Sequence, residues 1–126
     1  MTSPVSPAVA FEDVTIRFRA PRGGIHTVLQ HVSLEVRDGT FLAIVGPSGC
    51  GKSTLLNVAA GLLTPPEGRA VIFGKPLDGI NKHASYLFQQ DALLPWRTVL
   101  DNVMLGLAFR NAPRAEAAAK KVGLTN

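Results

Sequence analysis

Phe41-Leu42-Ala43-Ile44-Val45-Gly46-Pro47-Ser48-Gly49-Cys50-Gly51-Lys52-Ser53-Thr54 is the stretch on which the reading of the whole chain turns. From Gly46 onward it fits the pattern G-x-x-x-x-G-K-[ST] at every fixed position. Phe41–Val45 is an unbroken apolar run, the pattern of a strand buried on both faces. Beyond the loop, Leu55, Leu56, Val58, Ala59, Leu62 and Leu63 recur at helical spacing. The expectation is a strand, a glycine-rich loop and a helix, the context in which this pattern holds phosphate.

Chemistry requires these residue types in this order. Gly46, Gly49 and Gly51 lack Cβ atoms, which lets the backbone curl with its N–H groups inward. Together with the positive end of the following helix they form a seat for phosphate oxygens. Lys52 reaches the outer phosphates as a mobile charge, and the Ser53 hydroxyl is placed to ligate Mg²⁺. The candidate nucleotide-contacting set is therefore Gly46, Pro47, Ser48, Gly49, Cys50, Gly51, Lys52, Ser53 and Thr54. The plain alternative is a glycine-rich turn that precedes a helix.

With 126 residues, 46% of them hydrophobic and 17% charged, the chain can bury one modest core and is not globally disordered. Its apolar runs all stop short of eighteen residues, and Met1–Ala10 does not have the form of a secretion signal. A cytoplasmic location is expected. The formal charge of +4 raises nucleic acid as a partner. However, Arg17, Arg19, Arg22, Arg37, Arg69, Lys75 and Lys82 are scattered and not interleaved with aromatics, so no nucleic-acid partner is expected. Cys50 is the single cysteine, which excludes an internal disulfide and a cysteine-based zinc site. His26, His31 and His83 have no ligand-type spacing.

Along the chain, Val14, Ile16 and Phe18 alternate with Thr15, Arg17 and Arg19, which predicts a strand with one buried face. Pro21–Gly24 is a turn, Val28–Val36 a second alternating strand, and Asp38-Gly39 a hairpin signal leading into Phe41–Val45. The helix after the loop should end near Gly61–Thr64, before Pro65-Pro66. Ala70–Phe73 and Ala84–Phe88 read as strands, with Lys75–Lys82 as a polar connection between them. Thr98 is the expected N-cap of a helix over Val99–Phe109, and Pro113–Val122 reads as a second helix, closed by Gly123.

The order of these pieces resembles the nucleotide-binding subunit of ATP-binding cassette (ABC) transporters. The likeness rests on Gly46–Thr54 with its sequel Leu55–Leu62, on Tyr86-Leu87-Phe88-Gln89-Gln90-Asp91-Ala92-Leu93-Leu94-Pro95-Trp96, and on Thr98–Val103. The first resembles that family's Walker A segment and the second its Q-loop. The resemblance implies an α/β P-loop nucleoside triphosphatase fold with an N-terminal antiparallel β part. It implies ATP and Mg²⁺ as cofactors, Phe18 as an aromatic stacking on adenine, and Gln89 as a contact of the γ-phosphate or Mg²⁺. The plainer alternatives are that Phe18 is simply the last core residue of its strand and Gln89 a solvated turn residue, though the place of Gln89 after a buried strand favours the phosphate or Mg²⁺ role. Trp96 is either core or part of a face turned to a membrane permease subunit. Leu93-Leu94-Pro95-Trp96 is similar to the form found in importers of nitrate, taurine and other alkyl sulfonates, with some precursor-pyrimidine importers close by.

The family's later signature segment, Walker B strand with its carboxylates, and switch histidine have no counterpart in residues 1–126. The chain is accordingly expected to be the N-terminal portion of a single ATP-binding domain, truncated, binding ATP–Mg²⁺ at most and inactive alone. Its parent would be a peripheral protein on the inner face of the cell membrane. A permease subunit and a second ATP-binding subunit would be its partners, and ATP-driven solute uptake its function. The alternatives are an inactive gene remnant or another P-loop enzyme, a GTPase or small-molecule kinase. Asn81-Lys82-His83-Ala84 lacks the Asp with which a GTPase holds guanine.

Overall fold

The computed structural model describes residues 5–90 and 92–108. The chain divides into two compact units, Met1–Tyr86 and Leu87–Asn126. The helix expected over Pro113–Val122 lies outside the described residues.

In the first unit, β1 (Val9–Arg19) pairs antiparallel with β2 (Ile25–Val36) on one side and with β3 (Glu67–Ile72) on the other. A two-residue edge strand, β4 (Lys75–Pro76), completes the order β2-β1-β3-β4. Phe73 and Gly74 join β3 to β4 with φ of 47° and 80°, the double left-handed geometry of a tight hairpin turn. The sheet and helix α1 (Lys52–Ala60) enclose a core of Phe11, Val14, Ile16, Leu29, Leu55, Val58 and Ala70. Burying each of these side chains other than Ala70 stabilises by about 1.5–3 kcal/mol.

The expected alternation in β1 is broken. Val14, Thr15 and Ile16 are all buried, while Phe18 is 45% exposed. The cause is a pair of facing irregularities. Asp13 and His31 take φ of 52° and 49°, and the β1–β2 register shifts on either side of Val14. The inward Thr15 is satisfied there, its Oγ1 accepting the His31 N–H at 3.0 Å. Cross-strand pairs Arg17–Glu67 and Arg69–Glu12 lace β1 to β3 on the solvent face.

Two expected strands are not formed. Among the described residues, neither Phe41–Val45 nor Ala84–Phe88 is a strand of the β2-β1-β3-β4 sheet. Phe41 and Val45 are 94% and 89% exposed, and Leu87 is 97% exposed. An apolar run becomes a buried strand only when neighbours accept its backbone groups. Asp38-Gly39 does turn the chain, with the Thr40 N–H on the Arg37 carbonyl at 3.2 Å, but no hairpin follows.

The end of α1 matches expectation and is tightly enclosed. Gly61, at φ 75°, closes it with N–H donations from Gly61 to Val58 O and from Leu62 to Asn57 O. A Cβ on Gly61 would lie 2.1 Å from the Gly79 carbonyl oxygen. Gly61→Ala should therefore destabilise the first unit by at least about 2 kcal/mol, adding backbone strain to a backbone clash. The midpoint of urea unfolding measures it, and a midpoint like the wild type's would refute the packing described.

In the second unit, α2 (Val99–Ala108) begins at Thr98, whose Oγ1 accepts the Asp101 N–H at 3.1 Å. That is the expected cap. The helix covers the predicted span through Ala108, and Phe109 lies outside the described residues.

Candidate phosphate-binding site

Gly46–Cys50 run exposed from the end of the apolar segment to the buried Gly51, from which α1 starts. The Cys50 N–H donates to the Pro47 carbonyl at 3.3 Å, curling the loop, and Gly49 follows with φ 79°. Gly51 is the anchor. Its φ is 99°, and a Cβ there would lie 2.8 Å from Leu29 Cδ2 and 3.0 Å from the Val28 carbonyl oxygen. Only glycine meets both demands, so β2 fixes where the loop ends and the helix begins.

The first turn of α1 carries no side-chain cap and no acidic residue. Its leading N–H groups and the positive end of its dipole are thus open to an anion. Ser53 stands exposed in that turn, with Lys52 and Thr54 half-buried on either side. Lys52 folds back over the loop, its Nζ donating to Gly46 O at 2.6 Å and Pro47 O at 2.8 Å. Cys50 Sγ lies 3.5 Å from the same nitrogen. All three ammonium donors have neighbours in the loop itself, and each is one that a phosphate oxygen could replace.

Phe18 sits on β1 opposite His26, with nearly half of its surface open. Gln89 is exposed in the second unit. Among the described residues no three His, Cys, Asp or Glu side chains gather as a metal cluster, and no helix is long and apolar enough to cross a membrane.

One residue that positions this site carries no signal in the sequence. Asn81 is 6% exposed and holds the far end of α1: its backbone N–H donates to Ala60 O at 3.0 Å and its Nδ2 to Ala59 O at 2.9 Å. Its Oδ1 accepts the His83 N–H at 3.0 Å, so the buried amide is engaged through both its oxygen and its nitrogen. Within Lys75–Lys82 it reads as one more polar loop residue, because its partners are helix carbonyls some twenty residues earlier in the chain.

A family model described as ABC transporter matches residues 29–126. The chain is 45% identical over 109 residues to the taurine import ATP-binding protein TauB of Pseudomonas aeruginosa, covering 86% of this chain and 41% of that protein. It is 46% identical over 121 residues to the aliphatic sulfonates import ATP-binding protein SsuB of Burkholderia ambifaria, covering 96% and 37%. A solved structure of the ATP-binding cassette MJ0796, a dimeric post-hydrolysis state bound to ADP and Pi, superposes with a TM-score of 0.76 at 32% identity. That superposition covers 89% of this chain and 54% of the cassette. The chain spans about two fifths of the length of the curated relatives it matches.

Proposed function

The chain belongs to the ABC transporter family, and from that premise we propose that its Gly46–Thr54 loop binds the phosphates of ATP within the ATP-binding part of a solute importer. The observation that carries this reading is the uncapped start of α1 facing a glycine loop, with the Lys52 ammonium held on two exchangeable carbonyls. The positive φ at Gly49 and Gly51 supports the same reading, since both are needed to curl the loop.

The residues fit Mg²⁺ as well as phosphate. Ser53 offers an exposed neutral oxygen beside the seat, the kind of single protein ligand that Mg²⁺ takes alongside water and phosphate oxygens. Bound there, the ion would neutralise phosphate charge. Gln89 is proposed as a second oxygen ligand on its sequence likeness to the Q-loop, and Phe18, with its open face, as the adenine-stacking aromatic. The relatives named for taurine and aliphatic sulfonates make a small sulfonate the proposed solute class. A membrane permease subunit and a second ATP-binding subunit are the proposed partners, with the chain peripheral on the inner face of the membrane. Within residues 1–126 no carboxylate has a motif that makes it a base for attacking water, so the step proposed for these residues is ATP binding.

Cys50 supplies the test, because its exposed thiol stands inside the loop. Alkylation by maleimide should slow several-fold when ATP and Mg²⁺ are present and be unaffected by adenosine, which has no phosphate to cover the thiol. Rates that ignore ATP would show that the loop holds no phosphate.

A further inference from the structure

Two irregular residues of the sheet are locked to each other. Asp13 in β1 and His31 in β2 take φ of 52° and 49°, a left-handed region that Asp and His enter more readily than most side chains. The His31 Nδ1–H donates to Asp13 Oδ1 at 2.8 Å, and the Asp13 N–H donates to Ser33 Oγ at 3.0 Å. On the other side, Gly68 of β3 makes room for the Asp13 carbonyl: a Cβ on Gly68 would lie 2.3 Å from that oxygen.

Between the pairs Phe11–Leu34 and Val14–Val32, β1 runs through two residues while β2 runs through Ser33 alone. Between Glu12–Arg69 and Thr15–Glu67, β1 again has two residues against Gly68 alone. Asp13 lies in both gaps, so it is the extra residue of a β-bulge toward both neighbours. Between Val14–Val32 and Ile16–Leu29 the surplus passes to β2, which sets Gln30 and His31 against Thr15.

One extra residue exchanges the faces of everything that follows it. Phe11 precedes Asp13 while Val14 and Ile16 follow it, yet all three lie in one core with Leu55 and Val58 of α1. An unbroken strand would send Phe11 and Ile16 to opposite faces. Ile16 lies opposite Leu29, the side chain against which Gly51 sits where the loop enters the helix. Phe18, two residues beyond Ile16, therefore comes to the face that carries the phosphate loop, and Arg17 to the face where it meets Glu67. Without the insertion their places would be exchanged.

We propose that Asp13 is a positioning residue for nucleotide binding: its left-handed backbone, clasped by His31, sets Phe18 on the loop face of the sheet, where the aromatic meets the base. This role rests on the adenine contact proposed above for Phe18. Asp13 acts through the strand and not by touching the nucleotide.

Calorimetric titration with ATP and with inorganic tripolyphosphate, each with Mg²⁺, separates the base from the phosphates. Phe18→Ala should bind ATP roughly tenfold more weakly than wild type and tripolyphosphate equally well. Asp13→Val, whose branched side chain resists a positive φ, should show the same split. Asp13→Gly keeps that conformation without strain and should bind ATP within about twofold of wild type. Adding Asp13→Val to Phe18→Ala should weaken ATP no further, because both remove one contact. An Asp13→Val variant with wild-type ATP affinity overturns the proposal. So does one that loses tripolyphosphate in equal measure, since Asp13 would then only hold the fold, and so does an Asp13→Gly variant as weak as Asp13→Val.

If Asp13→Val does not fold, Arg17→Phe combined with Phe18→Thr makes the test at two exposed positions. That variant carries the aromatic on the opposite face and should bind ATP as weakly as Phe18→Ala; affinity like the wild type's overturns the proposal. A Phe18→Ala variant with undiminished ATP affinity removes the adenine contact and the positioning role together, while tripolyphosphate binding leaves the loop reading standing. A wild type that binds neither ligand removes the loop reading too. Nuclear Overhauser contacts, recorded without nucleotide, then still decide whether β1 changes face. Phe11 and Ile16 should both reach α1 methyls, and contacts from only one of them would show an unbroken strand.

Discussion

Lys52→Ala is expected to weaken ATP binding by about ten- to a hundredfold, the ~1.5–3 kcal/mol typical of a hydrogen bond to a charged group. The lower end of that range is the better expectation, for two reasons visible in the loop. The Lys52 ammonium already donates to Gly46 O and Pro47 O, so phosphate exchanges contacts and does not create them from nothing. The loop from Gly46 to Cys50 is also exposed, which leaves water to compete. Removing Lys52 strands no buried acceptor, because those two carbonyls face solvent; the variant should fold as the wild type does. The loss should be larger for ATP than for ADP, and absent for adenosine, since the ammonium addresses the outer phosphates. Calorimetric titration of the three ligands measures it. Equal ATP affinity in wild type and variant would remove Lys52 from the site.

Local order was legible wherever a residue's role is set by its own backbone or its near neighbours. Gly51 and Gly61 bracket α1 as the glycine positions imply, Thr98 caps α2, and the two alternating strands pair antiparallel. Legibility failed where the determinant is remote. The inward turn of Thr15 depends on a bulge shared with His31 on another strand, and no period-two pattern in β1 can announce it. Asn81 and Asn102 read as ordinary polar loop or helix residues, yet the Asn81 amide donates to Ala59 O and the Asn102 amide oxygen accepts the Leu94 N–H, backbone groups that the sequence does not mark as needing a side chain. The glycine loop itself was legible, because G-x-x-x-x-G-K-[ST] encodes a local curl. Its link to β2, through Gly51 packed on Val28 and Leu29, was not.

Phe41–Val45 is the largest departure from the sequence reading, and it leads to an expected result: the isolated chain should bind hydrophobic dyes and associate as its concentration rises. The segment is apolar at every position, yet Phe41 is 94% exposed, Leu42 45% and Val45 89%. Among the described residues no strand lies beside it to accept its N–H and C=O groups. An extended apolar run with open backbone groups is a template for pairing with other chains. The core of sheet and α1 does not depend on it, since the buried cluster draws on β1, β2, β3 and α1 alone. That independence makes the prediction specific. Replacing Phe41 and Val45 together by Lys should abolish dye binding and association. It should change the unfolding free energy by no more than about 0.5 kcal/mol per substitution, as expected for exposed positions. Light scattering and dye fluorescence across a concentration series, with urea unfolding of both proteins, provide the measurement. A wild type that stays monomeric and binds no dye would contradict the exposure of this segment. A double variant that unfolds like a core substitution, losing several kcal/mol, would show instead that Phe41 and Val45 are packed in solution and that the expected buried strand does form.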